Sequence, residues 1–139
     1  MNGNEYQKLA MRTNDGRCTE RMVCEIEKYT QIITNGIGVR IINDSHYDMG
    51  GIFNACLGLS GEVGELNDMV KKWVFHEKPL DIEHAKKELG DIMWYVAMMC
   101  NSFGWDLDEI MQMNIDKLIA RYPEGFSPQQ ANNRREGDV

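Results

Sequence analysis

The chain has 139 residues, of which 42% are hydrophobic and 27% charged, which fits one soluble globular domain able to bury a core without staples. Its net charge of −7 and pI near 4.9 exclude the broad basic face that a nucleic-acid polymer needs, though not a nucleotide, because a metal inverts local charge. The start, Met1-Asn2-Gly3-Asn4-Glu5, lacks signal-peptide character and no apolar run nears the roughly 20 residues of a membrane span, so a cytoplasmic location is expected.

Residues 5–12 read as a short helix with Tyr6, Leu9 and Ala10 on one side, closed by the turn-forming Thr13-Asn14-Asp15-Gly16. Met22, Val23, Ile26 and Ile33 predict a second helix over 19–34, broken by Asn35-Gly36-Ile37-Gly38. Residues 39–42 are rich in β-formers, but no partner strand is found, so they are read as loop or helix. Residues 44–51 are polar and read as a connection.

From Ile52 the pattern sharpens. Ile52, Ala55, Cys56, Leu59, Val63, Leu66, Met69, Val70, Trp73 and Val74 recur at helical spacing and predict one apolar stripe. Pro79 and Asp81 interrupt, with Asp81 as the expected N-cap of the next helix. That helix carries Ala85, Leu89, Ile92, Val96, Met99 and Phe103, and Gly104 ends it. Asp106-Leu107-Asp108-Glu109 has capping-box character and opens another helix, with Leu107, Ile110, Met111, Ile115, Leu118 and Ile119. Tyr122-Pro123-Glu124-Gly125 stops it, and a polar tail with Arg134, Arg135 and Glu136 follows, expected to be loose at its end. The expected fold is all-α, a bundle of four to five helices without tandem repeats. The four cysteines, Cys18, Cys24, Cys56 and Cys100, form no CxxC pair or zinc spacing; Cys56 and Cys100 are expected to be buried small hydrophobes.

Two echoes stand out. Glu62-Val63-Gly64-Glu65-Leu66 and Glu88-Leu89-Gly90-Asp91-Ile92 each place two carboxylates three residues apart, on one face of a helix. Glu62 and Glu88 border the apolar stripes, where an unpartnered charge is costly. The mid-helix glycines, each costing about 1 kcal/mol against alanine, point to close approach by a backbone or ligand. Two antiparallel helices would bring both pairs together, and hard oxygen donors of this kind suit Mg²⁺ or Mn²⁺. The plain alternative is a set of solvated charges paired with Lys71, Lys72, Lys86 and Lys87. A ferritin-type di-iron site is set aside because neither pair has the histidine that such a site needs.

Residues 52–126 resemble the MazG-like nucleoside triphosphate pyrophosphohydrolases of the all-α superfamily. The resemblance rests on the stretch from Asn54 to Glu65, on Lys71-Lys72 with Phe75-His76, on Glu88-Leu89-Gly90-Asp91-Ile92-Met93-Trp94-Tyr95, and on the stretch from Asn114 to Phe126, which contains Lys117-Leu118-Ile119-Ala120-Arg121-Tyr122-Pro123-Glu124-Gly125-Phe126. Tyr6-Gln7-Lys8-Leu9-Ala10 looks like the family's opening helix, and Asn133-Arg134 like its end. The chain then reads as a single domain over 1–139, with an atypically long segment at 15–50 and a tail at 127–139.

The resemblance implies that Glu62, Glu65, Glu88 and Asp91 are Mg²⁺ ligands, with Mn²⁺ as a substitute, and form the catalytic set. It implies cleavage of a (d)NTP between its α- and β-phosphates, with Glu65 the preferred base. On the same grounds Lys117 and Arg121 would bind phosphate, Asn114 phosphate or ribose, and Lys72 would face the site. Trp73, or Phe53, would stack on the base, while His76 and His84 read as surface residues and His46 as an unassigned residue of the long segment. The solvated-face reading of Lys117 and Arg121, and a core or interface role for Trp73, Trp94, Trp105 and Tyr95, are the simpler alternatives. The methionines and tryptophans, with Met98 and Trp94 lying off their helix's stripe, predict a homo-oligomer, a dimer or a dimer of dimers. Two other functions compete: a non-catalytic helical interaction module, and a phosphoribosyl-ATP pyrophosphohydrolase-like enzyme.

Overall fold

The computed structural model describes residues 2–29, 31–35, 38–42 and 47–132. Gly36, Ile37, His46 and the tail from Asn133 onward, including Arg134, Arg135 and Glu136, lie outside the described residues.

Helix α1 spans Gly3–Ala10 and opens on a reciprocal cap. Asn2 accepts from the Glu5 amide at 2.9 Å, and Glu5 accepts from the Asn2 amide at 2.8 Å. A 3-10 turn over Met11–Thr13 leads to α2, Cys18–Tyr29. The sequence expectation over-extended this helix. Gln31–Asn35 is strand β1, paired antiparallel with β2, Gly38–Ile42, in a register running from Gln31 opposite Ile42 to Asn35 opposite Gly38. The fold is all-α as expected apart from this hairpin, which corrects the reading of residues 39–42 as loop or helix without a partner strand. Its runs are dense in β-branched residues, which lose rotamer freedom in a helix, and Asn35-Gly36 is a strong hairpin-turn signal. One residue, Ile33, had carried the helical period across the first strand.

Helix α3, Met49–Phe75, is capped by Asp48, which accepts from the Gly51 amide at 3.0 Å. Helix α4, Ile82–Phe103, is capped by Asp81, as expected, through the His84 amide at 2.9 Å. Gly104 ends α4 in the left-handed region at φ 69, which glycine adopts without a Cβ clash. Helix α5 covers Leu107–Arg121 behind the Asp106 cap, and a short α6 covers Pro128–Asn132. No helix among the described residues is long and apolar enough to cross a membrane.

The described chain does not close the expected bundle of four to five helices. It has six α-helices, and the one extensive helix–helix contact among them is α3 against α4. The register of that contact is clear. The Asp48 amide donates to the Ser102 carbonyl at 2.8 Å, Gly51 lies against Ser102, Asn54 approaches the Met98 sulfur, and Gly58 lies against the Tyr95 ring. Each turn forward on α3 thus matches a turn back on α4, as in an antiparallel pair.

Ile52, Ala55 and Cys100 form the buried apolar core, with Gly51 and Ser102 beside them. The rest of the predicted stripes is only partly covered. Leu59, Leu66, Met69 and Ile92 are half-buried, whereas Val63, Val70, Trp73, Val74 and Leu89 are exposed. Cys56, expected to be buried, is exposed, because it lies beside the stripe that α4 covers rather than on it. Met98, read as an outward residue, is half-buried against α3. Trp94 is exposed as expected.

Candidate acidic site

The register that sets Gly51 against Ser102 and Gly58 against Tyr95 advances seven residues on each helix, two turns. Another two turns bring Glu65 opposite Glu88. Glu62, Glu65 and Glu88 each offer a carboxylate oxygen, and these oxygens lie within 4.8 Å of one another. Asp91 does not join that trio but lies close enough for its charge to act on Glu62. The helix pair therefore gathers three of the four expected acids at short range and keeps the fourth as a near neighbour.

The electrostatics follow from the crowding. Glu62 is half-buried, and its carboxyl is held above the ordinary value. Desolvation is the largest cause; the charges of Glu65, Asp91 and Glu88 follow, and then a hydrogen bond with Glu88. Glu88 is buried, and its Oε1 stands 2.7 Å from Nε2 of His84, one turn earlier on α4. None of the lysines that could neutralise the trio does so among the described residues. Lys72 pairs with Asp68, and Lys86 with Glu83 at 2.6 Å. Asp68 is held below its ordinary value chiefly by the Lys72 hydrogen bond, with the charges of Lys72, Lys71 and His76 assisting against desolvation. Close, uncompensated carboxylates of this kind fit a hard divalent cation.

Two of the trio, Glu65 and Glu88, line a cleft of about 480 Å³. Gly61, Gly64, Glu65, Asp68, Met69 and Lys72 line it from α3, and His84 and Glu88 from α4, with the Asp81 cap beside them. The connection between the helices supplies Lys78, Pro79 and Leu80. That connection is shaped by the end of α3. The amides of His76 and Lys78 both return to the Lys72 carbonyl, at 3.0 and 3.2 Å, and Glu77 between them takes a left-handed φ of 54. The turn brings Lys78 back over the last turn of α3.

Of the expected substrate residues, Lys72 lines the cleft. Trp73 is about half exposed, and Asn114 and Lys117 are exposed on α5; with the half-buried Arg121, none of these lines it. The expected close approach at the motif glycines is not made among the described residues: beyond their own helix backbone, nothing lies within 4 Å of a Cβ position at Gly64 or Gly90. The close approach falls at Gly58 instead. Lys78 is not singled out by the sequence, and His84 reads there only as a surface residue, which it is. The signal for His84 was its spacing of four residues before Glu88, which puts both on one helix face.

The MazG nucleotide pyrophosphohydrolase domain matches residues 54–126, a segment that holds both acid pairs, the cleft and α5. The Gene 37 protein of Mycobacterium phage L5 is 35% identical over 89 residues, spanning 60% of this chain and 77% of that protein. No solved structure gives a significant match. With more than half of the chain inside the matched segment, the protein belongs to the MazG nucleotide pyrophosphohydrolase family.

Proposed function

We propose that the protein is a divalent-metal-dependent nucleoside triphosphate pyrophosphohydrolase that splits its substrate between the α- and β-phosphates into a monophosphate and pyrophosphate. The observation that carries this reading is the trio of Glu62, Glu65 and Glu88, whose oxygens crowd within 4.8 Å beside a cleft and without a lysine partner among the described residues. A salt-bridged interaction module would pair those acids with the nearby lysines, but Lys72 and Lys86 engage Asp68 and Glu83 instead, and no described ion pair joins a lysine to the trio.

Glu62, Glu65, Glu88 and Asp91 would hold the cation, Mg²⁺ or Mn²⁺, which supplies charge neutralisation for the phosphates and polarises the α-phosphate. The chain's own groups divide the remaining work. Glu65 is the exposed acid of the trio and lines the cleft, so it is the one best placed to take a proton from water. As the water oxygen bonds the α-phosphorus, the bond from that phosphorus to the α,β-bridging oxygen breaks and pyrophosphate leaves. Lys72 and Lys78 line the same cleft and supply positive charge for the leaving phosphates. Incubation with a panel of (d)NTPs and Mg²⁺, followed by chromatography, is expected to give monophosphate and pyrophosphate in equal amounts. Diphosphate with orthophosphate would overturn the assignment of the cleaved bond.

The protein is further proposed to assemble as a homo-oligomer, a dimer or tetramer. Leu57, Phe75, Met93, Trp94, Ile119 and Phe126 are all more than half exposed, an apolar surface larger than one chain covers. In such an assembly Asn114, Lys117 and Arg121 of α5 would serve the phosphates of a neighbouring subunit's site. Light scattering at micromolar concentration is expected to give a mass of at least twice 16.0 kDa; an active monomer would exclude the assembly.

A further inference from the structure

We infer that His84 is a positioning residue for the acidic site, fixing the Glu88 carboxylate in the orientation that receives the divalent cation; this rests on the metal-site reading above. Glu88 is the least accessible member of the trio, with its side chain 8% exposed, whereas the His84 side chain is 55% exposed and lines the cleft. A buried carboxylate beside two others needs a donor to hold it, and Nε2 of His84 stands 2.7 Å from its Oε1. An Nε2–H donor is present in one neutral tautomer of the ring as well as in the imidazolium, so the contact does not depend on charge. The backbone fixes where the ring starts. Asp81 accepts from the His84 amide at 2.9 Å, placing His84 in the first turn of α4, and the four-residue spacing delivers the ring to Glu88.

Bonded to His84 through one oxygen, Glu88 loses a rotational degree of freedom before any cation arrives and presents its remaining lone pairs toward Glu62 and Glu65. Hydrogen-bond partners of metal-ligating carboxylates commonly change metal affinity by about 10–100-fold when removed. His84 would act through Glu88 and need not touch the cation or the nucleotide.

The test is calorimetric titration of the full chain with Mn²⁺, comparing the wild type with His84→Ala, His84→Asn and His84→Gln. The Gln amide can reach one turn along the helix, whereas Asn is polar but falls short. Ala and Asn are expected to weaken Mn²⁺ binding about 10-fold, and Gln to stay within about 3-fold of wild type. Melting temperatures in EDTA should agree among the variants. The Mg²⁺ concentration needed for half-maximal activity should rise for Ala and Asn. Unchanged Mn²⁺ affinity in Ala and Asn, or Gln no better than Ala, overturns the assignment while leaving the metal site standing. A wild type that binds no Mn²⁺ overturns both. If the Ala protein does not fold, the contrast between Gln and Asn decides.

Discussion

Where Gly51 meets Ser102 and Gly58 meets Tyr95, α3 and α4 touch with no room for an added methyl; two turns further along, the same two helices hold Glu65 and Glu88 face to face. The residues buried in these helices divide the same way. Gly51, Ile52, Ala55, Cys100 and Ser102 lie in the closed half, and Glu88 alone lies in the open half. Packing concentrated at one end frees the other end from contributing to stability. That other end can carry like charges and a cleft because the closed half sets the register for both. The glycines mark the boundary. Gly58 is filled by the Tyr95 ring, whereas Gly61 and Gly64, within the next two turns, face open space and line the cleft.

The largest test of this contrast is catalytic. Glu62→Gln, Glu65→Gln, Glu88→Gln and Asp91→Asn should each lower pyrophosphohydrolase turnover by more than the roughly 100-fold upper cost of a lost outer-shell partner. Their helical circular dichroism should match wild type, because each replacement keeps shape and removes charge. Near-normal turnover in two of the four would break the division between a structural and a chemical half.

How much of this was legible follows the same boundary. The repeated acid pairs and the helical stripes around them were strong, local and periodic, so α4 with its caps, the body of α3 and the convergence of the acids could be read directly, whereas the Asp48 cap and the first turn of α3 fall in a stretch that reads as a connection. Asp81 and Gly104 announced themselves because capping chemistry depends on one residue and its neighbours. The hairpin at 31–42 was missed because its strands are short and Ile33 fits a helical period as well as a β one. His84 reads only as a surface residue in the sequence because its contact with Glu88 matters through the burial of Glu88, which only the fold defines. The cover of the stripes misled for a different reason. Amphipathicity says that a face will be covered, not that the same chain covers it, and Val63, Val70 and Leu89 remain exposed.

A smaller effect separates the two kinds of glycine. Gly58→Ala places a methyl into the Tyr95 ring and should destabilise the fold by about 1–3 kcal/mol, the usual cost of overpacking. Gly64→Ala meets no atom and adds helix propensity, so it should stabilise by up to about 1 kcal/mol. Its activity is the sharper readout, because Gly64 lines the cleft. Urea unfolding of the two variants gives the comparison; equal shifts of the same sign would mean that the closed and open halves pack alike.

The smallest expected effect is a pH-linked shift in melting temperature, and here two carboxylates on one helix act in opposite directions. Glu62 is held above its ordinary value, so the folded state binds its proton more tightly than the unfolded chain does. Its ionised form therefore costs stability at neutral pH, and that cost shrinks as pH falls through the raised value toward the ordinary one. Asp68 is held below its ordinary value by Lys72, so its contribution is present above the ordinary Asp value and is lost only as pH falls through the lowered one. The two windows are separate, with the Glu62 gain met first on acidification. In EDTA the wild type should melt slightly higher as pH falls through the raised Glu62 value, before the later acid loss. Glu62→Gln should flatten the early rise, and Asp68→Asn should leave it intact while softening the later fall. Both shifts are modest because each group is partly solvated and screened by salt. Saturating Mg²⁺ should raise the melting temperature most at neutral pH, where the acids are ionised and a bound cation offsets their repulsion. A Mg²⁺ effect that Glu62→Gln leaves unchanged would show that the cation stabilises the chain somewhere other than its open half.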